Sequence, residues 1–551
     1  MATGVPKRQA TSGTSVWHLA HAQGSGTNAM VFSYTLVEAM GRTRASSAQN
    51  RHNGSLPRKQ PVHSPVSSDM DALTTDVGDT PAPPPSVDAA ATDGHRPLDE
   101  RIAIGEAQAK NLPLEQIGDP PSRDGRPDIL EVLRNEAKGR LSELLPLRHA
   151  RMAGNPFATL RGTAAIMAAD LASRPSTNLI VQLCGDAHLV NFGMYGSPER
   201  TLVFDVNDFD ETHPGPFEWD VLRLATSFVS CVQGQGDPEK AAALARKVAT
   251  VYQKSMADLA SRSTLDVLYE RMTAEDIQAL AEESDSSATV KDTEAALKKA
   301  RHRTHERAIS RLTEVVNGAR RFKTTPPVLV RCEDEAARAS FQAEYAAYIE
   351  TLPPENQVIA RRYGVVDFAM KVVGVGSVGT HCWVALLEGR DADDQIILQM
   401  KEATPSVLAT HVKDIGAFSR FDHEGERIVR GQKMMQAVSD LFLGWMGGVT
   451  AKGRHYYARQ LHDMKGGFDV ESAKLPTIET YADLCARTLA RAHARSGDAV
   501  AISAYLGETE KFADAAEVFA VAEAHFIDGD HKRLSEAIAA GEIEAIESEE
   551  P

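Results

Sequence analysis

The 551-residue chain carries 60 Lys and Arg against 76 Asp and Glu, a formal net charge of −16, which argues against nonspecific binding to nucleic acid or an anionic membrane. Its length exceeds what one compact core holds, so two or more packed units are expected. Five scattered cysteines (Cys184, Cys231, Cys332, Cys382, Cys485) form no CxxC pair, so core thiols in a reducing cytoplasm are expected rather than a disulfide framework or a zinc knuckle, and no apolar run approaches the roughly 20 residues of a membrane-spanning helix.

Residues 1–95 are rich in Ser, Thr, Ala, Gly and Pro and include the tract PAPPPS; a disordered N-terminal extension is expected there. From residue 96 the pattern turns globular. Helices are expected at 129–145 and 157–171, the second behind the break at Asn155-Pro156. Arg161 on that second helix reads as a surface or core-paired arginine ahead of a phosphate contact. Residues 178–183 read as a buried strand. Residues 202–206 alternate with the period of two of another strand. A helix follows at 221–232, with Asp220 able to cap its first turn.

The region to residue 320 is charged and largely helical, and another helix is expected at 337–352. Residues 368–389 are rich in Val and Gly and read as an antiparallel hairpin. A strand at 396–402 brings Lys401 inward. A helix at 425–442, a strand at 455–461, a turn at 464–467 and helices at 481–495 and 518–546 complete the chain. The expected division is a 1–95 extension, a mainly helical 96–365, a β-rich 366–470, and C-terminal helices over 471–551 that pack on the helical part.

Chemistry concentrates in the stretch GDAHLVNFGMYGSPERTLVFDVNDFDETHPGPFEWD, residues 185–220. So many carboxylates beside apolar strand residues require counter-charges, hydrogen bonds or a metal. Asp186 precedes Asn191 by five positions. In phosphoryl transfer a carboxylate accepts the proton of the acceptor hydroxyl, an amide oxygen holds magnesium, and a second carboxylate bridges metal to phosphate. Asp208 is the first candidate for that carboxylate and Asp205 the second, since Mg2+ prefers oxygen ligands. His188 reads as a metal ligand or proton carrier, or as a hydrogen-bonded loop histidine.

The second constellation is GVGSVG, with Gly374, Gly376, Ser377 and Gly379, followed by Lys401. Glycines let backbone amides approach phosphates, and a lysine on the next strand neutralises them. Strand rather than helix follows the glycines, which disfavours a dinucleotide-binding turn. A glutamate on the following helix, Glu424 or Glu426, is expected to pair with Lys401.

GDAHLVN resembles the HGDxxxxN catalytic loop of aminoglycoside phosphotransferase-like kinases, with Cys184 where that motif has its leading His. DFDETHPGPFEWDVLRLA is similar to the same superfamily's metal-binding Asp, its Gly-Pro segment and the Asp that opens the next helix. The resemblance implies Asp186 as catalytic, Asn191 and Asp208 as metal-binding, Asp220 as a brace for the loop backbone, and ATP with Mg2+ as cofactors. Over about 130–530, motifs including RMAGNPFATLRGTAAIMAADLA, VQLCGDAHLVNFG, KVVGVGSVGT and YYARQLHDMKG resemble the bacterial family called domain of unknown function 2252, which implies no established activity.

In an ordinary kinase the nucleotide-binding lobe precedes the catalytic loop, whereas here the glycines and Lys401 follow it. The expectation is therefore an α+β, two-lobed kinase-like fold that is circularly permuted or otherwise rearranged. The expected function is a cytoplasmic ATP/Mg-dependent phosphotransferase with an unknown hydroxyl acceptor and no nucleic-acid or membrane partner. A non-catalytic nucleotide-binding scaffold, and a metal-dependent hydrolase using Asp186, His188 and Asp208, are the alternatives.

Overall fold

Apolar periodicity decides which elements form in the computed structural model of the chain. The structure describes residues 96–546, apart from 123, 234–235, 373, 375, 377, 413–420, 448–452 and 462–463, together with two short strands nearer the N-terminus. The chain divides into two compact units, Met1–Thr92 and Asp93–Pro551. In the first, strands His18–Ala20 and Val31–Ser33 pair antiparallel, with Leu19 opposite Phe32. The rest of the extension expected to be disordered lies outside the described residues.

The second unit is α+β. Its helical part is built round Phe217–Gln233, which is buried on nearly every side; the charges it buries are paired, Glu218 with Thr177, Asp220 with the Cys184 amide and Arg223 with Asp186. Helices Pro238–Ala260, Leu475–Ser496 and Lys511–Ala539 pack against it, and Phe228, Tyr252, Leu489 and Phe519 share one core. Phe217 stacks on Tyr252 with ring centroids 5.9 Å apart.

A six-stranded sheet forms the β part. Its order is Leu329–Arg331, Gly364–Lys371, Cys382–Glu388, Gln395–Ala403, His455–Gln460, Gly444–Gly447, with every neighbouring pair antiparallel. Alternation gives it two covered faces. Ala369, Val384, Leu386 and Ile397 pack with Ile309, Leu312 and Phe322. Phe368 points the other way and stacks on Phe341 of helix Glu335–Ile349, centroids 4.9 Å apart. The register sets Lys401 between Cys382 and Tyr457.

The expected hairpin and lysine strand are therefore present, while several boundaries differ. The helix expected over 129–145 stops at Ala137. The one expected over 157–171 is two helices, Pro156–Gly162 and Ala164–Ala172. Gly162 ends the first of these against Met152, whose side chain lies 2.6 Å from where a Cβ would sit. The helix expected to reach 442 ends at Met435. Strands Thr313–Val316, Ala319–Phe322 and Gly444–Gly447 lie where no strand was expected. The expected division at 365/366 falls inside strand Gly364–Lys371. Among the described residues no helix is long and apolar enough to cross a membrane.

A bulge between Val365 and Asp367 interrupts the sheet register and sets Asp367 facing three donors, a known use of bulges. The fully buried carboxylate accepts from the Phe322 amide (2.8 Å), Arg338 (2.8 Å) and Arg331 (3.1 Å). Asp367→Ala leaves an orphaned amide, Arg338 without its anion and Arg331 with only the exposed Glu333 at 3.6 Å, so a loss of about 3 kcal/mol in urea unfolding is expected. Asp367→Asn, which keeps an acceptor, is expected to lose less. An alanine variant within about 0.5 kcal/mol of the parent contradicts this account of the sheet edge.

Candidate functional site

Two acidic loops are brought side by side by short strand pairs. Ile180–Leu183 runs antiparallel to His213–Pro216, and Phe192–Gly196 to Leu202–Val206. The loops that link them, 184–191 and 207–212, touch where the Asn207 amide donates to the Asn191 carbonyl at 2.9 Å. Gly185 has φ +82°, and a Cβ there would fall 2.1 Å from the Glu211 carbonyl oxygen. Only glycine meets both conditions.

Asp220 accepts from the amides of Cys184 (2.7 Å) and Gly185 (3.1 Å). It lies inside helix Phe217–Gln233 and so does not cap it; its two hydrogen bonds brace the start of the 184–191 loop. Behind it stand His493, at 3.4 Å, and Tyr252, whose hydroxyl meets His493 at 2.8 Å.

The sheet delivers Lys401 to these loops. Its ammonium donates to Asp210 at 2.6 Å and stands 3.7 Å from Asp208; the side chain is 5% exposed. Burial pushes its pKa down, but Asp208 and Asp210 more than offset this and hold it well above the ordinary lysine value. Burial likewise raises Asp208, yet Lys401 and Arg459 hold its carboxyl below the usual range. The second oxygen of Asp210 accepts from the Tyr457 hydroxyl at 2.7 Å.

The glycine loop is tied to the helical part by arginines. Arg140 donates to the carbonyls of Gly376 (2.7 Å) and Val378 (2.8 Å), and Arg151 to that of Gly374 (2.5 Å). The Leu141 amide reaches the Gly379 carbonyl at 2.7 Å, and Gly379 has φ +91°. Ser377 lies outside the described residues.

Two cavities share Asp208 and Gly374 as walls. The larger, about 520 Å³, has Lys371, Gln399, Lys401, Arg459 and Lys465 in its lining. The smaller, about 140 Å³, has Arg161, Asp186, His188, Asn191 and Glu211. Asp186 is held by Arg223 at 2.5 Å, and the Asn191 amide nitrogen donates to the Asp186 carbonyl at 2.8 Å. The Asn191 amide oxygen and the Asp208 carboxylate on this wall are hard donors of the kind magnesium takes, with water filling the remaining positions. Among the described residues no three His, Cys, Asp or Glu side chains converge as a metal cluster, so magnesium there would draw only part of its shell from the protein.

Three expectations are corrected. Asp205 lies in strand Leu202–Val206, 2% exposed, paired with Arg491 at 2.9 Å and accepting from the Ala437 amide at 3.1 Å. It lines neither cavity and is a structural anion. Neither glutamate of helix Glu424–Met435 pairs with Lys401: Glu424 takes Arg427 (2.6 Å) and Glu426 takes Arg430 (2.5 Å), because Asp208 and Asp210 already supply the lysine's counter-charge. Burial lowers the pKa of His188 to about 3, so it is neutral at physiological pH and ill suited to carry protons. Its ring meets Phe157 edge-on, centroids 6.3 Å apart.

Arg223, Lys371 and Lys465 went unread. Arg223 stands three residues after Asp220 on one helix face, a spacing that could have linked it to the loop. Lys371 and Lys465 belong to a strand end and a turn, where charge is usually solvated. Burial, reinforced by Arg459, brings Lys465 down to about 7.

The fold and site define an α+β protein whose antiparallel sheet carries a lysine into a carboxylate cluster beside a glycine-rich loop. Residues 140–537 match the family described as "Uncharacterized protein conserved in bacteria (DUF2252)", and the chain belongs to that family. No curated protein and no solved structure matches it.

Burial raises Glu211 to about 7 against the opposing hydrogen bond from the Val407 amide (2.7 Å). Between pH 4.5 and 7 the folded state then binds more protons than the unfolded chain, so stability falls as pH rises through that window and the loss is complete above it. Glu211→Gln keeps the acceptor but cannot ionise. Without divalent cation, it is expected to gain about 2–3 kcal/mol on the parent between pH 4.5 and pH 8 in denaturant unfolding. Parallel pH profiles for the two proteins contradict the raised pKa.

Proposed function

We propose that the chain is an ATP- and magnesium-dependent phosphotransferase, kinase-like and circularly permuted, acting on a hydroxyl acceptor. The observation that carries this reading is the meeting of Lys401 with Asp208 and Asp210 beside Gly374, which lines both cavities, and Gly376, which lines the smaller. Lysine, acidic pair and glycine loop are the parts a phosphoryl-transfer site needs, because such catalysis is positioning plus charge stabilisation. Asp208 and Asn191 would hold magnesium, which when bound neutralises phosphate charge. Lys401 exchanges Asp210 for phosphate oxygens. Asp186, oriented by Arg223, accepts the proton of the acceptor hydroxyl. The cations of the larger cavity supply the local positive field that a chain of net charge −16 otherwise lacks for an anionic nucleotide.

One observation favours a second reading. The counter-charge of Lys401 is an aspartate, not the helix glutamate of an active kinase, which suits a nucleotide-binding protein without turnover. ADP formation separates the two readings.

Millimolar Mg-ATP is expected to raise the melting temperature by roughly 3–8 °C. Asp208→Ala is expected to abolish the shift, and Lys401→Met to weaken nucleotide binding tenfold or more. An unchanged melting temperature at millimolar nucleotide removes both readings.

A further inference from the structure

The smaller cavity is lined by a cation that forms no close ion pair among the described residues. Arg161 lines it beside Asp186, and its Nε is buried without a hydrogen-bond partner. Its guanidinium lies over the face of Phe157, 5.8 Å from the ring centroid, with Glu471 and Asp186 as the negative charges near it. A second arginine on the same wall is also incompletely used. Arg148 is 1% exposed; its Nη2 serves Glu136 (2.5 Å) and the Gly162 carbonyl (3.0 Å), while Nε and Nη1 have no partner.

The carboxylates around the cavity are already engaged. Asp186 has Arg223, Asp208 and Asp210 have Lys401, Glu136 has Arg148, and Glu402 has His381 at 2.9 Å. Glu211 takes the Val407 amide. Buried guanidinium groups left with open donors are costly unless an anion completes them, and the planar fork of arginine suits carboxylate or phosphate.

We propose that the acceptor is a small anionic hydroxyl compound, its carboxylate or phosphate group held by Arg161 and the open nitrogens of Arg148 while its hydroxyl meets Asp186. This rests on the phosphotransferase reading for the step itself. The acceptor oxygen forms a bond to the terminal phosphorus of ATP, the bond from that phosphorus to the bridging oxygen breaks, ADP leaves, and the hydroxyl proton passes to the Asp186 carboxylate. At about 140 Å³ the cavity is below the usual range for drug-sized ligands, which favours a small metabolite over a protein segment.

Inorganic sulfate is the probe, because it carries the anion chemistry without a hydroxyl. Isothermal titration of the full chain with sulfate, in the presence of Mg-ADP to fill the larger cavity, is expected to show one saturable site. Arg161→Gln is expected to raise its Kd at least tenfold and Arg161→Lys less, while the exposed control Lys532→Gln leaves it unchanged; all should match the parent's circular dichroism. Sulfate binding that is equal in Arg161→Gln and the parent overturns the proposal. So does the lack of any sulfate site in a parent protein that binds Mg-ADP, and in that case the phosphotransferase reading survives. Sulfate held through Arg161 in a protein that binds no nucleotide keeps the anion site and removes the phosphotransferase reading instead.

Discussion

The ion pair of Lys401 with Asp210, with Asp208 beside it, is the constraint on which the cleft depends. A lysine this deeply buried is tolerated only if its charge is met. Two desolvated charges repay their cost only when geometry is close and the remaining atoms are satisfied. Here the contact is 2.6 Å and the other Asp210 oxygen takes the Tyr457 hydroxyl. The pair therefore locks the 207–212 loop against the sheet. An anion reaching Lys401 would have to take over from Asp210.

The rest of the site is held through backbone. Asp220 grips the amides of Cys184 and Gly185 from a helix buried on almost every side. Arg140 and Arg151 occupy three carbonyls of the glycine loop. Both arginines come from the helical segment that also carries Arg161, so loop and smaller cavity are positioned by the same wall. Arg427 adds a third tie, donating to the Asp210 carbonyl at 3.0 Å and to that of Thr404 at 2.8 Å. Helix Glu424–Met435 thus contacts the acidic loop through an arginine rather than contacting Lys401 through a glutamate.

What the sequence disclosed follows from how far each signal travels. Strand Leu202–Val206 and the lysine strand were legible because alternation is local. Asp186, Asn191, Asp208 and the glycines were legible because their spacing is a short motif. Asp205 misled because a carboxylate in an acidic run looks the same whether it faces a cleft or, as here, a buried Arg491 on a distant helix. Glu426 misled because pairing with Lys401 is a tertiary choice that Asp210 had already settled. Arg161 was placed as a surface or core-paired arginine ahead of a phosphate contact and Arg148 went unread, since what sets both apart is an open donor, which no sequence pattern records. Strand Gly444–Gly447 is short and glycine-bounded, so it carried no periodicity to read.

The segments that build the site meet in an order that differs from their order along the chain. Helix Leu475–Ser496 follows the sheet in sequence, yet it packs on strands Ile180–Leu183 and Leu202–Val206. Its Tyr481 hydroxyl donates to the carbonyls of Leu189 (2.8 Å) and Phe192 (3.0 Å), inside the acidic loop region. Its C-terminal end abuts the start of the strand that leads to Asp186: Ser496 accepts from the Gln182 amide at 3.1 Å, and a Cβ on Gly497 would sit 3.0 Å from the Ile180 carbonyl oxygen. A chain running sheet, helix, strand, acidic loop would need almost no linker at that junction. A site made by packing depends on where segments end in space, not on their order along the chain, so moving the chain break elsewhere leaves Lys401 and Asp208 free to meet.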